Sequence, residues 1–162
     1  MSYTTNADGL VRSYGAAQGA VFNIGSPEQA GPNKRIVVDI RSTDLSAFGA
    51  TNLIFGRVPR VSVPSGALIQ SAVFITTTAF TGTSATLDVG LANADATEID
   101  FDGLIAATTL VSINTVGKTV TGAGALVGTK ISADAYITTN VNTATFTAGA
   151  GQLVISYFVP TP

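Results

Sequence analysis

Residues 67–92 read ALIQSAVFITTTAFTGTSATLDVGLA, and this stretch decides the fold class. Its first half, residues 67–80, is apolar on both faces, as is typical of a strand covered on both sides of a sheet. We therefore expect residues 67–80 to form a central strand. One predicted face carries Ile69, Val73 and Ile75, and the other carries Leu68, Ala72, Phe74 and Phe80.

The second half of this stretch predicts a partner strand. Thr81-Gly82-Thr83-Ser84 has the composition of a tight turn and predicts a hairpin connection. Apolar and polar residues then alternate along residues 84–92, which indicates a strand with one buried face. The predicted inward residues are Ala85, Leu87, Val89 and Leu91, and the predicted outward residues are Thr86 and Asp88.

Similar patterns lie on both sides of this stretch. Residues 35–41 (RIVVDIR) and residues 131–141 (ISADAYITTNV) alternate with a period of two, so each predicts a half-buried strand. Pro59 and Pro64 cannot donate a hydrogen bond to a sheet, and they predict that residues 53–64 form an edge strand or a bent one.

Glycine-rich pieces predict the remaining turns. Gly149-Ala150-Gly151 separates two strand-like pieces and predicts a hairpin that closes the domain. Residues 102–107 (DGLIAA) predict one or two helical turns with Asp102 as the N-cap. Residues 111–127 are broken by glycines and predict turns and short strands.

The number and spacing of the strands predict the fold class. The sequence indicates seven to nine short strands about ten residues apart, without the strand-helix alternation of a parallel sheet. We predict an all-β fold, a single antiparallel β-sandwich that is jelly-roll-like and carries an extended N-terminal arm. The predicted arm is residues 1–34, and the predicted sandwich domain is residues 35–162.

The predicted arm contains isolated apolar side chains that have little reason to exist in a solvated tail. We expect the arm to be mobile in the free protein and to be ordered by contact with neighbouring subunits. Arg57 and Arg60 are either solvated edge charges or anchors to an acidic partner surface. The candidate contact residues are Leu10, Val11, Arg12, Val21, Phe22, Ile24, Arg57 and Arg60.

The composition limits the chemistry. The 162 residues include no Cys and no His, which removes the thiolate nucleophile, the disulfide, the commonest general base and the commonest metal ligand. Charged residues make up 11% and the formal net charge is −2, so we expect neither a nucleic acid nor a membrane as partner. No apolar run approaches roughly 18 residues and no signal peptide pattern is present, so we expect a soluble protein.

An acidic cluster is the remaining candidate for chemistry. A calcium ion needs about six or seven converging oxygens, and the segment ADATEIDFDG matches no EF-hand or repeat-type loop. The pattern favours a solvated, turn-capping loop over a calcium site. A glycosidase acid-base pair is disfavoured because sequence neighbours rarely flank a cleft and the chain has no Trp to stack on a sugar. We expect no catalytic residue, no metal and no cofactor. The cluster is Asp95, Glu98, Asp100 and Asp102.

Two segments carry a resemblance to a known family. Residues 64–104, with the phrase TTAFTGTSATLDVGLANA, and residues 131–158, ending in TFTAGAGQLVISYF, resemble capsid decoration or cement proteins of short-tailed bacteriophages, including phages of cyanobacteria and other aquatic bacteria. The resemblance covers about half of the chain and brings no catalytic motif. It implies a small β-sandwich, often a jelly roll, that assembles as a trimer on the local threefold axes of the capsid.

The resemblance also implies a function and a location. The chain would bind the major capsid protein on the outer surface of the virion, after synthesis in the cytoplasm of the host bacterium, and would stabilise the shell. The alternative is a phage fibre domain or a carbohydrate-binding β-sandwich for recognition of the host surface. An aromatic platform would favour that alternative, but the four Tyr residues are dispersed.

Overall fold

The computed structural model describes residues 2–5, 11–14, 33–45, 53–54 and 61–160. Strands account for most of these residues. Apart from one short two-stranded sheet, they form two antiparallel sheets that pack face to face, so the predicted all-β sandwich is confirmed. The strands are β1 (Ser2–Thr5), β2 (Val11–Tyr14), β3 (Asn33–Arg41), β4 (Leu53–Ile54), β5 (Ser62–Val63), β6 (Leu68–Gly82), β7 (Thr86–Ala92), β8 (Glu98–Thr109), β9 (Thr119–Thr121), β10 (Ala135–Asn142) and β11 (Phe146–Phe158). One helical turn, α1 (Leu110–Ile113), lies between β8 and β9.

The order of the strands is that of a jelly roll. One sheet has the order β3-β11-β6-β9, and we call it the β6 sheet. The other, the β7 sheet, has the order β4-β10-β7-β8, and β5 also pairs with β10. Strands β4 and β5 both pair with β10 and occupy the same edge of the β7 sheet, so the chain passes between the sheets as it does in a double Greek key.

Both predicted hairpins are wrong. Strand β6 ends in one sheet at Gly82, and β7 begins in the other sheet at Thr86, so the turn between them crosses from sheet to sheet. A short polar turn suits either connection, and the local sequence does not distinguish the two. Strand β11 runs without interruption from Phe146 to Phe158, and its pairing with β6 shifts register near Ala148 and Ala150. The glycines there form β-bulges, not a turn.

The predicted helix at residues 102–107 is also wrong, because these residues belong to β8. The part of β8 between Asp100 and Ile105 is longer than the facing part of β7, so it bulges out of the ladder. The helical turn α1 follows β8, at a site where the sequence predicts turns and short strands. Local propensity is weaker here than the pairing of β8 with its neighbour.

Strand β6 is the central strand that its apolar pattern predicts, since it lies between β11 and β9. Two face assignments are corrected: Ile69 is fully buried on the same side as Ala72 and Phe74, and Leu68 is half-buried on the other side. The register with β11 shifts between Ser71 and Ile69, so an extra residue at Gln70 reverses the alternation. Periodicity alone does not reveal such a bulge.

The core fills the space between the two sheets. Three of its phenylalanine rings form a chain, with ring centroids 5.9 Å apart for Phe74 and Phe80 and 5.2 Å apart for Phe80 and Phe146. The rings of Phe80 and Phe74 lie against Gly149 and Gly151 on the neighbouring strand. The bulged glycines of β11 therefore make room for aromatic side chains of β6.

The β6 and β7 sheets are joined along one side of the sandwich. Leu126 donates its N–H to the carbonyl of Gly103 at 2.8 Å, and Gly124 donates to the carbonyl of Leu104 at 3.3 Å. Both carbonyls belong to the bulge of β8, and both donors follow β9. On this side the two sheets are therefore linked by main-chain hydrogen bonds as well as by side-chain packing.

Part of the predicted arm has regular structure. Strands β1 and β2 pair antiparallel in a separate two-stranded sheet, with Ser2 opposite Tyr14 and Thr5 opposite Val11. The division of the chain into an arm and a sandwich domain stays a prediction. Across the described residues, no helix is long and apolar enough to span a membrane.

Candidate functional site

The structure describes few of the residues that the sequence nominates as contacts. Val11 and Arg12 lie in β2, where they are opposite Thr5 and Thr4. The other nominated residues lie outside the described residues, and their role as contacts stays a prediction. These are Leu10, Val21, Phe22, Ile24, Arg57 and Arg60.

The acidic cluster begins with a capped turn. The Oδ1 atom of Asp95 accepts hydrogen bonds from the hydroxyl of Thr97 at 2.7 Å and from its backbone N–H at 3.0 Å. These bonds favour the charged form and lower the pKa of the Asp95 carboxyl. Ala96 adopts a left-handed conformation with φ of 68° in the same turn. Asp95 therefore has the turn-capping role that the sequence favours.

The next acidic residues form a like-charged pair on β8. Partial burial, followed by the proximity of Asp102, raises the pKa of the Asp100 carboxyl. The backbone N–H of Asp102 donates to Oδ1 of Asp100 at 3.3 Å. Among the described residues no three acidic side chains converge as ligands of a metal ion. The arrangement is a strained carboxylate pair at the surface.

Asp88 is a polar group whose environment the sequence analysis misjudged. The alternation predicts that it faces solvent, yet its exposed fraction is 9%. Its Oδ1 atom accepts the N–H of Ala107 at 2.5 Å, and Oδ2 accepts a hydrogen bond from the side-chain amide of Asn142. Ala107 has a φ of 48°, so Asp88 fixes a backbone turn that alanine rarely adopts.

The amide of Asn140 extends this network by donating to Oδ1 of Asn142 at 3.0 Å. The donors come from β8 and β10, which flank β7 on either side. The apolar pattern of one strand does not predict such a network, because its hydrogen-bond partners on other strands are known only once the register is known. We assign Asp88 a structural role, since its hydrogen bonds join three strands.

Two apolar side chains are exposed at α1 and just after it, since Val111 lies in the helical turn and Val116 follows it. Val111 and Val116 have exposed fractions of 69% and 63%. The Lys118 ammonium donates to the backbone carbonyl of Val111 and, at 2.9 Å, to Oδ1 of Asn114, so the loop that carries the two valines is tied down.

The chemistry available at the described surface is modest. A shallow depression of about 370 Å³ is lined by Ser65, Gly66, Lys130, Ile131 and Ser132. The Ser65 hydroxyl donates to the backbone carbonyl of Ser132 at 2.9 Å. The proton of that hydroxyl is therefore donated to a backbone carbonyl, which does not activate a serine as a nucleophile.

Two solved structures have a similar fold. A chain of the structure "Capsid of Ralstonia phage GP4" is 20% identical, with a TM-score of 0.58 over 86% of this chain and 92% of that chain. A chain of "Cyanophage Pam1 capsid asymmetric unit" is 16% identical, with a TM-score of 0.55 over 90% of this chain and 97% of that one. No protein-family model matches the sequence, and neither does any curated protein. At these identities the comparisons show a shared fold over nearly the whole chain.

Proposed function

We propose that this chain is a structural protein of a bacteriophage virion that binds the outer surface of the capsid and stabilises the shell. The observation that carries the proposal is the fold shared with chains of two phage capsids, which covers 86% and 90% of this chain. The major capsid protein is the proposed partner, and the proposed location is the outer face of the virion. The proposed role is that of a decoration or cement protein, with no enzymatic activity.

The physical character of the surface supports attachment through weakly polar contacts. Only 11% of residues are charged and the mean hydropathy is +0.41, so the chain has few charges with which to cover its surface. The exposed Val111 and Val116 are an example on the described surface. Interfaces between proteins are depleted in charge at their centres, so such a surface is suited to association.

We further propose that the protein is a homotrimer and that residues 1–34 contact neighbouring subunits or the shell. An arm adds contact area that a compact sandwich does not reach, and several weak contacts made together raise the overall affinity. A protein that binds the assembled shell and not its free subunits shifts the assembly equilibrium towards the shell. This mechanism requires no reaction and no cofactor.

The test uses particles that lack the protein and the purified full-length chain. Adding the chain back should raise the temperature at which the depleted particles release their DNA, and cryo-electron microscopy should locate it on the outer surface. A variant lacking residues 1–34 should restore much less of the stability. Light scattering of the free chain should give the mass of a trimer.

Other outcomes would contradict parts of the proposal. If the chain does not bind depleted particles, and binds purified host-surface polysaccharide instead, the fibre or carbohydrate-binding alternative replaces the proposed role. Binding without any change in DNA release would leave a capsid protein that does not stabilise the shell. Equal protease protection of residues 1–34 in the free and particle-bound states would contradict the proposed ordering of the arm.

A further inference from the structure

Strand β3 forms one edge of the β6 sheet. Among the described strands it pairs only with β11, so its other side presents backbone N–H and C=O groups to which no described strand is bound. The strand is nine residues long, and its pairing with β11 runs from Asn33 to Arg41 without a register shift. A long, regular edge of this kind is able to accept another strand.

The side chains of β3 restrict which strand it accepts. Ile36, Val38 and Ile40 are buried in the core, whereas Arg35 and Asp39 are exposed on the opposite face. Charges on an edge strand oppose indiscriminate pairing. A strand that adds to this edge is therefore favoured when it places a negative charge opposite Arg35 and a positive charge opposite Asp39. Asp39 also accepts a hydrogen bond from the side-chain amide of Gln152 at 3.1 Å in its own chain.

The second copy of β3 meets this requirement. Val37 is the middle residue of the strand, and Arg35 and Asp39 lie two positions to either side of it. We propose that β3 pairs antiparallel with β3 of a second copy of this chain, about a twofold axis that passes midway between the two copies of Val37. Arg35 of each copy then lies opposite Asp39 of the other copy, so the edge is complementary to itself.

The neighbouring registers are less favourable. Residues directly opposite in an antiparallel pair lie on the same face, so the twofold axis must pass midway between two copies of the same residue, which we use to name the register. An axis through Val38 places Arg35 opposite Arg41, and an axis through Ile36 places Arg35 opposite Val37. The register through Val37 pairs opposite charges and also uses all nine residues.

This contact joins two four-stranded sheets into one continuous sheet. On the core side it brings Ile36 next to Val38 of the second copy, which extends the apolar layer across the junction. The area of a single strand edge is small compared with a stable interface, so we expect weak association in solution. The contact becomes effective where copies are held close together, as on a repeating surface. It goes beyond the proposed function, because neither the trimer nor shell binding requires it.

A cysteine substitution tests the register directly. The sequence contains no Cys, so V37C introduces a single thiol. Residues opposite each other in an antiparallel pair have Cα atoms about 4.5–5.5 Å apart, which is within the range for a disulfide. We expect mild oxidation to link V37C into covalent dimers. The controls R35C and D39C should dimerise poorly alone and should crosslink when mixed, since each lies opposite the other.

Charge reversal provides an independent test in the protein without cysteine. R35D and D39R should each weaken self-association about tenfold or more, because each replaces two attractions by two repulsions. A mixture of R35D and D39R should associate, since every opposed pair is again of opposite charge. The double variant R35D/D39R should associate with itself. Sedimentation velocity at low salt measures all four samples.

The mixing experiment also controls for folding, because a misfolded variant does not recover a specific partner. The proposal is wrong if V37C crosslinks no faster than R35C, or if the mixture of R35D and D39R behaves like the separate variants. Either result would leave the proposed binding to capsid particles untouched, since that binding is measured with the add-back experiment.

Discussion

The ring of Phe74 lies so close to Gly151 that a Cβ atom added to the glycine would be 2.1 Å from Cζ of the ring. Phe74 is 1% exposed, and Gly151 lies beside it on the bulged part of β11. Ring and glycine are therefore a matched pair, in which the missing side chain of one provides the space for the other.

We predict that Gly151→Ala destabilises the protein by about 1–3 kcal/mol, because overpacking forces the ring or the strand to move. The measurement is urea denaturation followed by circular dichroism. Ala148→Ser is the matched control, since Ala148 is exposed on the same strand, and it should change the free energy of unfolding by less than about 0.5 kcal/mol. A neutral Gly151→Ala would show that the ring has room to move.

Thr139 provides a prediction in the opposite direction. It is fully buried and its hydroxyl has no hydrogen-bond partner, so Thr139→Val should raise the free energy of unfolding by about 1–2 kcal/mol. The adjacent Thr138 is equally buried but has a polar partner, so Thr138→Val should leave the free energy of unfolding unchanged or lower it. Thermal unfolding of the two variants side by side provides the comparison. Equal changes in both would mean that the hydroxyl environments do not differ.

Asp88 is predicted to be essential for the fold of the β7 sheet. Asp88→Ala removes the acceptor for both Ala107 and Asn142, and it should cost about 2–4 kcal/mol, because hydrogen bonds to a charged group are strong and their loss leaves buried donors unpaired. Glu98→Ala is the control, since Glu98 is exposed on β8, and it should have little effect. Hydrogen exchange at the Ala107 amide should accelerate in Asp88→Ala alone.

Asp95 and Asp100 are predicted to affect the pH dependence of stability with opposite signs. The pKa of Asp95 is lowered in the folded state, so its contribution to stability is present at neutral pH and is lost as the pH falls through the folded pKa. The pKa of Asp100 is raised, so its favourable contribution is present in acid and is lost as the pH rises through the folded pKa.

Amide substitutions separate these two effects. Asp95→Asn should lower the melting temperature at pH 7 and have little effect at pH 3. Asp100→Asn should raise the melting temperature at pH 7, because it removes a carboxylate that is partly buried beside Asp102, and this gain should disappear at pH 3. Calorimetry at the two pH values tests both variants. A gain from Asp100→Asn that is equal at both pH values would point to a cause other than charge.

The sequence predicts the all-β class and the central position of β6, because alternating apolar patterns are typical of strands and a continuous apolar run favours an inner position in a sheet. The second face of β6 is only half-buried, which the continuous pattern does not predict. It does not predict which strands pair. The turn at Thr81-Gly82-Thr83-Ser84 suits a hairpin as well as a crossing between sheets, and the glycines near Ala150 suit a turn as well as a bulge. Partner choice depends on residues far apart in the chain.

The same limit applies to the candidate sites. The turn-capping role of Asp95 is readable from the sequence, because its partner Thr97 is two residues away. The role of Asp88 is not, because its partners Ala107 and Asn142 are 19 and 54 residues away. The charges of β3 are visible in the sequence. Their position on an edge strand of the described sheet, where another strand could meet them, is known only from the sheet order.

The two main-chain hydrogen bonds that join the bulge of β8 to Gly124 and Leu126 make the sandwich mechanically asymmetric. Among the described residues these bonds link the two sheets at the side of β8 and β9, and we expect the side bounded by β3 and β4 to open first. Backbone amides near Gly103 and Leu126 should therefore be the slowest to exchange, and those of β3 should exchange through local opening. A second copy that pairs with β3 would oppose this local opening, so copies that lie close together should each be more rigid than a free one.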